Sequence, residues 1–157
     1  MSKERQQEYF NVQRSDWIDY ARPDNYLIAK PLARAHDGLN PEGDDAYSEG
    51  LWKNIFRSKG RSNYESHLDE RIKEGVVKDG KEYRELMNKI INNDNAEVYK
   101  TMSGKEIRYL VKDGDWLMML DINGHIHSTM KLRDENYPLL QSGKKIGTLN
   151  NFIGITL

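Results

Sequence analysis

EVYKTMSGKEIRYLVKDGDWLMMLDINGHIHSTMKL, residues 97–132, is the stretch in which the period of the chain changes from helical to two. Ser103-Gly104, Asp113-Gly114 and Asn123-Gly124 recur in it at even spacing. Asp-Gly and Asn-Gly are strong two-residue hairpin signals, because the favoured hairpin turns need positive φ. The segment is therefore expected to form four antiparallel strands near 97–102, 105–112, 115–122 and 125–132, a meander with one polar and one apolar face. A last strand is expected between Ile146 and Leu157.

Alternation assigns the faces. Val98 and Met102, then Ile107, Tyr109 and Val111, and in the fourth strand Ile126, Met130 and Leu132, form the inward set. That leaves Glu97, Tyr99 and Thr101, Glu106, Arg108 and Leu110, and His125, His127, Thr129 and Lys131 on the outer face. Trp116-Leu117-Met118-Met119-Leu120 is apolar on both sides, as a central strand covered on both faces would be.

Upstream, Tyr83, Leu86, Met87, Ile90 and Ile91 follow i, i+3, i+4, i+7 and i+8, a helix opening after Asp79-Gly80 and broken by Asn92-Asn93-Asp94-Asn95. Ser62 or Asn63 caps a preceding helix through Tyr64, Leu68 and Ile72, with Gly75 at its end. Helices followed by consecutive strands predict an α+β domain over 61–157, with N-terminal helices on one face of an antiparallel meander of four to five strands. Residues 1–60 hold Pro23, Pro31 and Pro41 and read as an irregular segment with short helices, one near 4–20 and one through Tyr47, Leu51, Trp52, Ile55 and Phe56. The latter is expected to dock on the main domain.

The chain has 157 residues, enough for one core with an appendage. It has no cysteine, so disulfides, thiol nucleophiles and thiolate metal sites are excluded. No apolar run is long enough to span a membrane and the first residues do not resemble a signal peptide, so a cytoplasmic site of action is expected. Lys and Arg total 24 against 25 for Asp and Glu, so no global positive field draws in nucleic acid. Any attraction for an anion has to be local.

The outer face collects carboxylates, an arginine, two histidines, a tyrosine and a lysine. Those are parts for phosphodiester chemistry: a base, an acid and a phosphate holder. The same residues equally suit the solvated face of a half-exposed sheet, where Glu–Arg pairs are ordinary stabilisers. His125 and His127 alone are only a partial metal-ligand set, so neither a metal nor another cofactor is expected. His36 and His67 read as surface residues, and Trp52 and Trp116 as core.

The run Arg108-Tyr109-Leu110-Val111-Lys112-Asp113-Gly114-Asp115-Trp116-Leu117, followed by Gly124-His125-Ile126-His127-Ser128-Thr129-Met130-Lys131-Leu132-Arg133, resembles the C-terminal part of the barnase-like microbial ribonucleases. The resemblance implies that Arg108 binds phosphate and His125 is the catalytic acid. Glu97 would be the general base, with Glu106 as its substitute. Lys131, His127, Thr129 and Tyr99 join Glu106 as substrate-binding candidates. It implies metal-independent cleavage of RNA, tRNA included, by attack of the 2′-hydroxyl on the adjacent phosphorus.

The near-neutral charge, the proline-rich first 60 residues and the chain beyond residue 133 are more similar to a bacterial or phage toxin-type nuclease of the barnase, EndoU and colicin group. Such a toxin implies a dedicated protein inhibitor. The alternative from a different class is a non-catalytic binding module or inhibitor acting on a host or partner protein.

Overall fold

Glycines close the first two hairpins as turn chemistry requires, one position later than Asp-Gly pairing implies. The computed structural model describes residues 26–40, 51–55, 60–134 and 136–153. In it β1 (Glu97–Ser103) pairs with β2 (Glu106–Asp113) through Ser103 opposite Glu106, and β2 pairs with β3 (Trp116–Leu120) through Asp113 opposite Trp116. The central residues are thus Gly104-Lys105 and Gly114-Asp115. Gly104 (φ 63°) and Gly114 (φ 58°) take the left-handed region that a side chain would resist.

With β4 (Ile126–Lys131) and β5 (Lys144–Thr148) these strands form an antiparallel five-stranded sheet in the order β4-β3-β2-β1-β5. The fold is α+β, and helices precede the strands. The strand expected after Ile146 begins at Lys144 and ends at Thr148, and residues 154–157 lie outside the described part.

Helix α1 spans Tyr26–Leu39, α2 Asn63–Lys73 and α3 Gly80–Ile91. α2 and α3 form where periodicity and capping predict them: the Ser62 side chain accepts from the Glu65 N–H, and that of Asp79 from the Glu82 N–H. Tyr83, Met87, Ile90 and Ile91 of α3 are wholly buried against Val98, Tyr109, Val111, Met118, Leu120 and Ile126 of the sheet. Each such side chain contributes about 1.5–3 kcal/mol by leaving water.

α1 lies in the segment expected to be irregular, and Pro31 sits inside it. The helix still forms because Ala29, Leu32, Ala35 and Leu39 bury against the same core. Of the helix expected around Tyr47–Phe56, the described residues are not helical. Leu51–Lys53 instead run parallel to the start of β4: the Lys53 N–H donates to the Ile126 carbonyl (2.8 Å) and the Ile126 N–H to the Leu51 carbonyl (2.9 Å). The helix expected near 4–20 lies outside the described residues. Leu32, Leu39, Leu51 and Trp52 belong to the core built by residues 64–152.

Two facing assignments need correction. First, the face away from the helices is not polar throughout: Leu110, Leu117, Met119 and Leu132 form a second cluster there with Tyr99, Met130, Tyr137, Leu139 and Leu140. Short helix α4 (Pro138–Gln141) supplies two of these covering residues; helix α5 (Leu149–Ile153) follows β5.

Second, Met119 pairs with Ser128 but Leu120 with Ile126, so His127 is an extra residue, a bulge in β4. Beyond it the parity reverses. Ile126 and Thr129 face the helices, whereas Met130 and Leu132 join the second cluster. His67 also differs from expectation: it is buried, and its ring stacks on Trp52 with centroids 6.0 Å apart.

Gly124 links the third hairpin to α1. Its φ is +84°, and a Cβ there would lie 2.7 Å from the Pro31 carbonyl oxygen and 2.9 Å from Arg34 Cβ. Backbone strain and collision add, so Gly124→Ala is expected to cost about 1–3 kcal/mol, read as a lowered urea midpoint with unchanged slope. Gly104→Ala meets no neighbour within 4 Å and is expected to cost about 1 kcal/mol from its backbone alone.

Candidate active-site cleft

β2 starts at Glu106, but its pairing with β3 starts only at Tyr109, so Glu106–Arg108 extend past the end of β3. This offset leaves a cleft of about 370 Å³ at the end of the sheet. It is lined by Lys53, Lys105, Glu106, Ile107, Arg108, Asp121, Ile122, Asn123 and His127.

Asp121 organises one wall. It directly follows β3, and its Oδ1 accepts the backbone N–H of Asn123 (2.9 Å) and of His125 (3.1 Å), while the Asp121 N–H donates to the His125 carbonyl. This is the aspartate-led turn chemistry of a short loop. Its other oxygen, Oδ2, lies 3.0 Å from His127 Nε2 and 3.6 Å from His125 Nδ1, so two imidazoles flank one carboxylate oxygen. The bulge brings His127 to this position, because an extra residue re-aims its side chain.

Burial pushes the Asp121 carboxyl up, but the hydrogen bonds from His127, His125 and Asn123 outweigh it and hold the group below its usual range. Burial pushes His127 down. The Asp121 carboxylate pulls it back up, Arg108 and Lys53 add to the depression, and the net result is a ring below the ordinary histidine value. A neutral imidazole beside an ionised carboxylate is the arrangement of a general base.

Arg108 lines the same cleft. Its side chain is almost covered, and it donates from Nη2 to Glu106 Oε2 (2.6 Å) and from Nη1 to the Ile107 carbonyl (3.2 Å). The hydrogen bond and charge of Arg108 hold the Glu106 carboxyl below its usual range. Lys53 reaches the cleft because the Leu51–Lys53 segment is tied to Ile126.

Arg108, Glu106 and His127, expected from the sequence, therefore share one cleft. His125 does not line the cleft; its Nδ1 lies 3.6 Å from the same Asp121 oxygen that His127 meets. Glu97 does not join them: Arg108 pairs with Thr101, four residues from Glu97 along β1, or about 13 Å at roughly 3.3 Å per residue. Glu97 instead accepts from the Tyr99 hydroxyl (2.5 Å) and pairs with Lys145 at 3.5 Å. The Tyr99 bond is the main reason its carboxyl is held low, with Lys145 and Lys112 adding to it.

Thr129 is wholly buried on the helix side. Lys131, at the far end of β4, lines a separate cleft of about 440 Å³ with Arg71, Glu74, Arg133 and Tyr137. Sequence reasoning did not single out Asp121 or Lys53. The Asp121-Ile122-Asn123-Gly124 turn pattern carried a signal for the first; nothing local marks Lys53.

Among the described residues no group of three His, Asp or Glu side chains is arranged to hold a metal ion, and no helix is long and apolar enough to cross a membrane. No family model, curated protein or solved structure matches the chain.

Because the native state resists protonating His127, the unfolded chain binds that proton more readily. Stability is expected to decline as pH falls from about 6.5, the unperturbed value, through the lower native midpoint. Histidine NMR titration should give His127 a midpoint below 6.5, and Asp121→Asn should lower it further by removing the groups that raise it. A His127 midpoint above 6.5 would contradict the burial and the nearby cations.

Proposed function

We propose that the cleft binds a phosphodiester and that the protein is a metal-independent endoribonuclease. The observation that supports this most is the meeting of Arg108 and Lys53 with the His127–Asp121 pair around one opening. In this proposal His127, neutral at pH 7, accepts the 2′-hydroxyl proton as the oxygen attacks phosphorus, and Asp121 stabilises the imidazolium that forms. His125, whose Nδ1 lies 3.6 Å from the same Asp121 oxygen, gives its own proton to the leaving 5′-oxygen, and proton exchange with solvent then restores both imidazoles. Arg108 and Lys53 offset the charge that develops on the phosphoryl oxygens, a contribution of typically about 3–4 kcal/mol.

The roles differ from those implied by the barnase-like resemblance in replacing Glu97 as base. That resemblance still motivates the finer picture: a bacterial or phage toxin-type enzyme acting on cytoplasmic RNA, tRNA included, and held by a protein inhibitor.

The separation of Glu97 from Arg108 favours a second reading, a non-catalytic module whose cleft holds an anionic group of a partner protein. Incubation with tRNA and total RNA in EDTA distinguishes them. The enzyme reading expects cleavage to products ending in a cyclic phosphate. It expects losses of about 10²–10⁴-fold in His127→Ala and about 10²–10³-fold in Arg108→Ala. Glu97→Gln should stay within a few-fold of the parent. Intact RNA at high protein concentration, or undiminished cleavage by His127→Ala, removes the enzyme reading.

A further inference from the structure

Arg108 is not presented bare to the cleft. A guanidinium has five N–H donors in a rigid fork suited to carboxylate or phosphate. Two are engaged within its own strand, by Glu106 Oε2 and the Ile107 carbonyl. The partners differ sharply in surroundings: the Arg108 side chain is 10% exposed and that of Glu106 is 71% exposed. The fixed member is the cation, and the carboxylate can leave into water without uncovering a buried surface.

Glu106 also stands among cations. Lys53 and Lys105 line the same opening, and Lys53 acts on both Glu106 and His127. An anion entering the cleft thus meets three cationic side chains, one of which already holds a carboxylate.

We propose that Glu106 is a built-in stand-in for the ligand's phosphate, occupying Arg108 in the free protein and swinging out when a phosphate group seats there. The proposal rests on the cleft being a phosphate site. It makes Glu106 a positioning residue: it keeps the Arg108 fork aligned while the cleft is empty and lowers affinity for weakly held anions, because a ligand that takes the Nη2 side of the fork must displace it. An ordinary surface ion pair would have no such effect on ligand affinity, and a proton-accepting Glu106 would act on rate instead.

The test is titration of the full chain with inorganic phosphate, followed by NMR shifts of the His127 ring and the Arg108 side-chain N–H. Glu106→Gln and Glu106→Ala are expected to bind phosphate roughly two- to fivefold more tightly than the parent, the scale of an exposed ion pair. Arg108→Gln should lose saturable binding. Equal or weaker binding in both Glu106 variants overturns the proposal, as does the absence of saturable binding in the parent and both variants. RNA cleavage, measured separately, distinguishes the two levels. Tighter phosphate binding with no cleavage by any form leaves the stand-in role intact and removes the nuclease reading. Loss of cleavage in Glu106→Gln with unchanged phosphate affinity assigns Glu106 to proton transfer instead.

Discussion

β4 is an edge strand, and its outward backbone groups need partners. Three separate parts of the chain supply them. The Leu51–Lys53 segment exchanges hydrogen bonds with Ile126, the Asn63 side chain donates to the His127 carbonyl at 3.0 Å, and Arg71 (3.0 Å) and the Tyr83 hydroxyl (2.6 Å) both donate to the Thr129 carbonyl. An uncovered edge invites pairing with another chain, and an unsatisfied buried carbonyl is costly. Sealing the edge therefore ties α2 and α3 to β4 through Asn63, Arg71 and Tyr83. Arg71 bears the heaviest load, tied also to Glu70 and Glu74 while its side chain is almost wholly buried. Burial raises the Tyr83 hydroxyl far above its ordinary value, so it stays a neutral donor throughout the physiological range.

The same edge determines the cleft. The bulge at His127 lies between the Ile126 bridge and the Thr129 clamp, so a residue that would otherwise face the second cluster is turned toward Asp121. Lys53 arrives by the bridge that seals the edge. Cleft and edge are one construction: the backbone hydrogen bonds that stabilise β4 also set the distance between a cation from the N-terminal segment and an imidazole from the sheet. Asp121 then performs two tasks with separate oxygens, Oδ1 closing the hairpin and Oδ2 meeting the histidines.

The meander, α2 and α3 were legible in the sequence because their signals are local: glycine turns, a period of two, a period of 3.6 and side-chain caps. α1 was not. Its buried stripe includes Ala29, Ala35 and Pro31, too small or too unlike a helix former to stand out, and its reason to be helical is the core it covers. The bulge was illegible because alternation in His125-Ile126-His127-Ser128-Thr129-Met130 fits a regular strand as well as an interrupted one. One inserted residue moved Thr129 into the core and Met130 out of it. Arg108 and Glu106 lie on β2, whose pairing with β1 and β3 has no register shift, so the parity that put them together held. Glu97 had the right face but the wrong height along the strand, and height depends on register, which periodicity does not specify.

The overall charge of −1 and the anion site proposed for the cleft are compatible once charge is located. Lys53, Lys105 and Arg108 face Glu106 and Asp121 around the opening, while burial keeps His127 neutral near pH 7. Counting these groups alone leaves a small positive excess, and it sits in a recess, where field lines are focused and solvent screens less than on an open surface. Long-range steering of a polyanion would be weak in such a molecule, so discrimination has to come from contacts made inside the cleft. On the proposed phosphate reading, an arginine whose side chain is mostly covered suits that regime, because its planar fork matches the geometry of a doubly accepting anion rather than a broad negative field.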